Sequence, residues 1–365
     1  MANGGGVKEL WDSGAEPPLE FVLEEAVYPS GDASRRRPAD IPIVDLVRLP
    51  HSDDEAAKLR SALATWGVFQ ILDQAAGHGI PFSLLEDVLS SGRRFFELPE
   101  EEKLRCSSKI EGFGEGYGRD QVKVQTLDWT DRILLKVHPE DQRKLELWPR
   151  NPTSFRQTLH EYTARVNTVV QLIIEAMARS VDLDETHFIA QLGEEREIYC
   201  RFSYYPPCRR PDLVLGLRPH SDNSAITVIL QDGDVESLEL LTEDGGWVSV
   251  PTNPDVLLFV VGDLMEIMSN GLFKSPVHRV VTNSGKDRIS ASLFFAMDPE
   301  KVIGPAEGLL LKEEEAEAEA EAEAEAEADE GKRRRLYRDL LVKDYLAAHL
   351  KGFTEGWRGI NWARV

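Results

Sequence analysis

The residues best equipped for chemistry in this chain begin at Pro219-His220-Ser221-Asp222. In an extended segment, residues i and i+2 point to the same face. His220 and Asp222 would therefore present an imidazole and a carboxylate to a common point. A third ligand arriving from another strand would complete a facial set of two histidines and one carboxylate. Such a set suits non-haem Fe(II), because it leaves three adjacent coordination positions open. His278, in the strand-like run Ser275–Val281 (SPVHRVV), is the best third ligand. It is the only histidine downstream of Asp222 inside such a run. Neither motif suffices alone: His-x-Asp recurs by chance, and His278 on its own is more readily a satisfied core histidine. The other six histidines (His51, His78, His138, His160, His187 and His349) fall in loops or on helix faces and read as structural or solvated.

Ten residues beyond His278 comes Arg288-Ile289-Ser290. The same alternation puts a guanidinium and a hydroxyl on one face, which continues with Ser292 and Phe294. A guanidinium grips a carboxylate through two parallel hydrogen bonds, and the hydroxyl can add a third. An unpaired buried charge is costly, so in an internal strand Arg288 must meet an anion. A bound dicarboxylate would serve; an internal salt bridge and a surface position are the alternatives. Along Glu197–Tyr205, the side chains Tyr199, Arg201, Ser203 and Tyr205 share a polar-tipped side suited to a pocket wall. Ile198, Cys200, Phe202 and Tyr204 share a side suited to packing. On strand evidence alone Tyr205 is an ordinary sheet aromatic. The candidate substrate contacts are Phe294, on the Arg288 face, Arg201, on the Tyr205 face, and Tyr117. The last sits in Gly116-Tyr117-Gly118, a Gly-rich loop expected to fold over a pocket mouth.

Ile41–Leu46 (IPIVDL) and Trp66–Leu72 (WGVFQIL) read as strands. Between them Ser52-Asp53-Asp54-Glu55 matches a capping box, followed by Leu59, Ala62, Leu63 and Trp66 at helical spacing. Phe82–Leu89 and Arg93–Phe96 read as helix stopped near Pro99. Ser154–Ser180 is the clearest helix, with Leu159, Tyr162, Val166, Val169, Val170, Ile173 and Met177 in one apolar stripe. After residue 195 short apolar or alternating runs recur between turn residues, at 197–205, 213–217, 225–231, 238–242, 247–250, 256–261, 277–283 and 288–296, with Asp244-Gly245-Gly246 as a hairpin turn. Strands at such spacing suggest a sandwich or barrel. Leu336–Leu350 reads as a last amphipathic helix with Leu336, Leu340, Leu341, Tyr345 and Leu346 inward.

The bulk numbers narrow the class. The 365 residues are 42% hydrophobic, enough for a sizeable core, and carry a formal charge of −22. Half of that charge belongs to the eleven acidic residues of Glu313–Glu330, a low-complexity Glu/Ala tract read as a solvated insertion. Net acidity of this kind repels nucleic acid and anionic lipid. Lys332–Arg335 reads as local neutralisation of the tract. Three cysteines without a CxxC pair argue for a reducing compartment. Met1–Leu10 lacks a secretory apolar stretch, and Val256–Val261 is too short to span a bilayer. A cytoplasmic, also nuclear by diffusion, monomeric protein is expected.

At this point the motifs meet a known pattern. Ser203–Cys208 (SYYPPC), Leu215–Asp222 (LGLRPHSD), Gly262–Gly271 (GDLMEIMSNG), Lys274–Val280 (KSPVHRV) and Arg288–Ser290 (RIS) resemble the plant Fe(II)- and 2-oxoglutarate-dependent dioxygenases of specialised and hormone metabolism, which are similar in fold to isopenicillin N synthase. Upstream, IPIVDL, Trp66–Gln70, His78-Gly79-Ile80 and Phe95–Lys103 resemble the amino-terminal region of that family. The resemblance implies an α+β fold with a double-stranded β-helix (jelly roll) core and helical cover. It implies Fe(II) at His220, Asp222 and His278, and the distal carboxylate of 2-oxoglutarate at Tyr205, Arg288 and Ser290. It further implies ascorbate as reductant, and oxidative decarboxylation to succinate and CO2 coupled to O2-driven hydroxylation, demethylation or desaturation of a small molecule. Two departures stand out: Ser203 replaces the usual Asn, and the usual Asn-His-Gly-Ile run is interrupted by Asp73–Gly77.

The expected organisation is a lead-in over 1–40, an amino-terminal α-rich region over 41–190, the jelly-roll core over 191–312, the acidic insertion over 313–335 and a carboxy-terminal helix and tail over 336–365, all in one structural unit. Two other function classes use the same scaffold. One is a non-catalytic 2-oxoacid or small-molecule binding or sensor protein; the other is an Fe(II) oxidase that needs no 2-oxoglutarate. The intact triad speaks against the first, while Arg288 with Ser290 does not exclude the second.

Overall fold

The computed structural model describes residues 6–25, 37–72, 79–108, 114–118, 126–193, 196–233, 235–254, 256–310 and 334–365. The Glu/Ala tract, His78 and Asp73–Gly77 lie outside them.

Two sheets face each other, and helices cover one of them. The strands are β1 (Arg37–Pro38), β2 (Val68–Leu72), β3 (Gly116–Gly118), β4 (Asp131–His138), β5 (Ile198–Tyr205), β6 (Leu215–His220), β7 (Ile226–Gln231), β8 (Leu238–Leu241), β9 (Trp247–Ser249), β10 (Val256–Val261), β11 (His278–Val281) and β12 (Arg288–Phe295), with a separate pair β13 (Val302–Ile303) and β14 (Leu340–Leu341). The major sheet runs β2-β10-β7-β12-β5-β4-β3 and the minor sheet β1-β9-β8-β11-β6. This is the jelly-roll core, and its strands after residue 197 fall where the alternation predicts.

The strand faces explain the pattern. In β10, Leu257, Phe259 and Val261 join the core under the helices, while Leu258 and Val260 join the one between the sheets. Covered on both sides, the strand is apolar throughout, as buried strands are. In β12 the division is functional: Ile289, Ala291, Leu293 and Phe295 pack toward the helices, and Arg288, Ser290, Ser292 and Phe294 face the space between the sheets.

The helical cover comprises α1 (Val7–Asp12), α2 (Asp53–Thr65), α3 (Phe82–Phe96), α4 (Glu100–Leu104), α5 (Phe155–Arg179) and α6 (His187–Leu192), followed later in the chain by α7 (Asp263–Met268) and α8 (Val342–Glu355). All seven stripe residues predicted for α5 are buried. Ser52 caps α2 through its Oγ, which accepts from Glu55 N at 3.4 Å. The return arm of the box is absent: the Glu55 carboxylate accepts from Asp45 N at 2.7 Å.

Three expectations are corrected. IPIVDL is not a strand; only Ile43 bridges, to Gln70, because Pro42 has no N–H to donate. The strands β3 and β4 were not predicted, and β4 pairs along its length with β5. The last helix begins at Val342: Leu336 is exposed, and Leu340–Leu341 pair with Val302–Ile303.

Candidate metal centre and its cavity

His220 is the last residue of β6, and His278 the first of β11. The two are direct partners across the antiparallel pair, with ring centroids 4.3 Å apart. Each imidazole is steered by its own chain. His220 Nδ1 lies 2.8 Å from Arg218 O, and His278 Nδ1 lies 3.1 Å from Pro276 O. With Nδ1 carrying the proton that these carbonyls accept, each Nε2 is left with a lone pair aimed at the third group. Asp222 Oδ1 is 3.7 Å from both Nε2 atoms. One ligand atom from each residue lies within 4.8 Å of the others.

The donor set passes a test of fit to a divalent ion. Asp222 Oδ2 is buried and has no hydrogen-bond partner among the described residues, an expensive state that a cation would relieve. Burial, and next the neighbouring His278, hold the His220 imidazole well below its ordinary pKa, in the neutral form that ligation requires. The pairing departs from the sequence argument in one detail. Asp222 lies beyond the end of β6, where its carbonyl accepts from Asp263 N at 2.8 Å.

A slot of about 60 Å³ leads inward from the triad, lined by Tyr205, Ile229, Arg288 and Ser290 among others, with Gln231 behind Arg288. Strand register brings these together: Arg288 stands opposite Tyr205, while Ser290 stands between Ser203 and Gln231. The Arg288 side chain is 2% exposed. Its Nη2 donates to Gln231 Oε1 at 2.9 Å, and its Nε and Nη1 have no hydrogen-bond partner among the described residues. Its cation lies 5.2 Å from the Tyr205 ring centroid. The nearby Asp232 carboxylate is engaged by Arg93. Burial pulls the Arg288 pKa below its usual value, against the opposing pull of Tyr205 and Asp232. A carboxylate at the end of this slot would complete it.

Outward from the triad opens a chamber of about 560 Å³, within the usual range for small-molecule sites. Arg201, Leu217, His220, Asp222 and Phe294 line both spaces. Phe294 and Arg201 therefore stand where the sequence expected them, and Arg201 Nε donates to Ser203 Oγ at 2.9 Å. Tyr117 does not. It lies on β3, buried against Phe95 and Phe96, with its hydroxyl donating to Glu100 at 3.1 Å. The Gly116–Gly118 segment is not a free loop, because it pairs with β4.

Several site residues escaped the sequence reading. Gln231 alternates correctly with Ile229 on β7, which was a usable signal. The roof was not predictable: Val342, Leu346, His349, Leu350 and Phe353 of α8 line the chamber. His349, expected to be structural or solvated, has Nε2 2.9 Å from Ser221 O, between two of the triad residues. Phe353 packs edge-on to His220, centroids 6.1 Å apart.

Residues 197–296 match the 2OG-Fe(II) oxygenase superfamily, and residues 41–151 match the N-terminal region of a non-haem dioxygenase in morphine synthesis. Codeine O-demethylase of Papaver somniferum is 36% identical over 281 residues, 75% of this chain and 76% of its own. Flavonol synthase/flavanone 3-hydroxylase of Eustoma exaltatum subsp. russellianum is 34% identical over 305 residues, 81% and 87% of the two chains. Among solved structures, JOX2 in complex with 2OG, Fe and JA superposes with a TM-score of 0.79 at 27% identity, over 99% of this chain and 98% of that one.

Proposed function

The chain belongs to the plant 2-oxoglutarate- and Fe(II)-dependent dioxygenases, and from that premise we propose that His220, Asp222 and His278 hold the iron while Tyr205, Arg288 and Ser290 hold 2-oxoglutarate. The protein is an oxygenase acting on a small organic molecule with O2. The observation that carries the residue assignment is one slot lined both by Asp222, with a buried carboxylate oxygen that has no hydrogen-bond partner among the described residues, and by Arg288, with two such guanidinium nitrogens. A divalent cation held at Asp222 and a carboxylate held at Arg288 would satisfy both at once.

When bound, iron would couple O2, the oxidant, to the oxidation of 2-oxoglutarate to succinate and CO2 and to the oxidation of the substrate. The chain's own work is positioning. Arg288 with Ser290 orients the far carboxylate. The carbonyls of Arg218 and Pro276 fix which imidazole nitrogen faces the metal. The α8 roof and Phe294 exclude water and present one substrate C–H bond to the open side of the triad. Hydroxylation is the outcome proposed, with ascorbate keeping the iron reduced.

For substrate we propose a flat, mainly apolar molecule with one acidic group, phenolic or carboxylated. The chamber supports this with Leu217, Leu346, Leu350, Phe294 and Phe353 as apolar walls and Arg201 as a cation beside the triad, in a lining that also includes Lys144, Glu197 and Tyr199. Among the described residues no helix is long and apolar enough to cross a membrane, and the three cysteines are free and buried; a cytoplasmic monomer is the accompanying proposal. The test is O2 consumption against added 2-oxoglutarate, with succinate release across phenolic, alkaloid and carboxylic-acid panels. Consumption independent of 2-oxoglutarate would favour the oxidase, and none at all the binding protein. Stimulation by aliphatic amino acids alone would sink the substrate class.

A further inference from the structure

Both metal-bearing loops are tied to one turn of α7, and that turn is tied to the chain's C-terminal segment. Asp263 opens α7. Its N–H donates to Asp222 O at 2.8 Å, and its Oδ2 accepts from Ser221 Oγ at 3.0 Å and from Tyr345 OH at 2.5 Å. One turn later Glu266 does the same for the other loop. Its Oε2 accepts from Ser275 N at 2.6 Å, three residues before His278, and its Oε1 accepts from Tyr337 OH at 2.5 Å. Arg358 Nη2 donates to Ser275 O at 2.8 Å and lies 3.7 Å from each carboxylate. His349 Nε2, on the roof helix α8, donates to Ser221 O at 2.9 Å.

The approach is close because Gly262 allows it. A Cβ there would sit 2.0 Å from Ser224 O, just past the metal loop. Asp263 is fully buried and Glu266 nearly so. Burial holds the Glu266 carboxyl above its ordinary pKa, against the pull of Arg358. Buried ionisable pairs are poor stabilisers, since apolar residues of similar size often serve as well. What they do supply is a single allowed geometry.

We propose that Asp263 and Glu266 are positioning residues that lock the His220–Asp222 and Ser275–His278 segments to Tyr345, Tyr337 and Arg358, so that the helix roofing the chamber also sets the metal geometry. The proposal rests on the metal assignment made above. Partners one shell out from metal ligands are typically worth about 10- to 100-fold in metal affinity.

The test is cobalt(II) titration of the metal-stripped full chain, with no 2-oxoglutarate present, at a temperature where every variant is folded. Tyr345→Phe and Tyr337→Phe each remove one hydroxyl and nothing else; Asp263→Asn is the harsher change. Each should weaken cobalt binding about tenfold. In Tyr345→Phe the amides of residues 220–224 should also exchange hydrogen faster in the metal-free protein. Parental cobalt affinity and parental exchange in Tyr345→Phe, with only a lowered Tm, would overturn the proposal and leave an ordinary structural tie. Asp222→Ala separates the two layers of argument. If it loses cobalt while both tyrosine variants keep parental affinity, the coupling alone is wrong. If it binds cobalt as the parent does, the metal assignment falls and takes the coupling with it.

Discussion

Arg288 carries a cation that burial has stripped of water, with one nitrogen on Gln231 and two others without a hydrogen-bond partner among the described residues. Hydrogen bonds to charged groups are worth about 1.5–3 kcal/mol. Arg288→Ala should therefore raise the Kd for 2-oxoglutarate by one to two orders of magnitude, while cobalt affinity in its absence stays parental. Calorimetry checks both, and an unchanged Kd would move the cosubstrate elsewhere. His220→Ala and Asp222→Ala should lose iron retention and turnover with little change in circular dichroism; normal turnover in either would remove the metal assignment. Arg288 was legible because strand alternation converts spacing into direction; Asp222, beyond the end of β6, was marked by its spacing from His220 alone. His349 was not, since its meaning depends on which element its helix packs against. Tyr117 misled for the converse reason: flanking glycines suggested a loop, but Tyr117 N donates to Cys106 O and the segment adds to the sheet edge.

Among the elements, α5 and the strands after residue 197 were readable because each has one consistently buried face or is buried on both. The strand β4 was not, since Ile133, Leu135 and Val137 pack toward the helices while Leu134 faces the chamber. That Ile-Leu-Leu run breaks any alternation. The start of α8 was misjudged because an amphipathic spacing continues backward through Leu340, where pairing with Ile303 overrides it. Two changes probe these elements. Leu159→Ala in α5 should destabilise by about 2–5 kcal/mol in urea unfolding, as a fully buried leucine does. Leu346→Ala in α8 should raise KM for the organic substrate up to about tenfold, given about 0.8 kcal/mol per buried methylene, with KM for 2-oxoglutarate unchanged. If both constants rose together, Leu346 would not face the substrate.

Across the whole molecule, the lead-in is anchored more firmly than its composition suggested. Val7 N and Lys8 N donate to the Asp131 carboxylate at 2.9 and 3.0 Å, and Lys103 pairs with Glu9 at 2.6 Å. Burial pushes the Asp131 carboxyl up to about 6, against the opposing pull of those two amides. An acid whose folded pKa exceeds its unfolded value of about 4 holds its proton better when folded. Its contribution is therefore fully present below about pH 4 and declines as pH rises through about 6. The difference in unfolding free energy between the parent and Asp131→Asn should drift against the parent over that window and then level off. A flat difference would show an ordinary carboxyl.

The roof of the chamber also has a bearing on biogenesis. Helix α8 follows both sheets in chain order, so a ribosome releases the open β cup well before Tyr345 and His349 emerge to grip the metal loop. On the proposed metal assignment, the ferrous seat would lack these ties until then. A nascent or prematurely terminated chain would expose its oxidising site to bulk water with little grip on iron, which delays dangerous oxygen chemistry until the polypeptide can contain it.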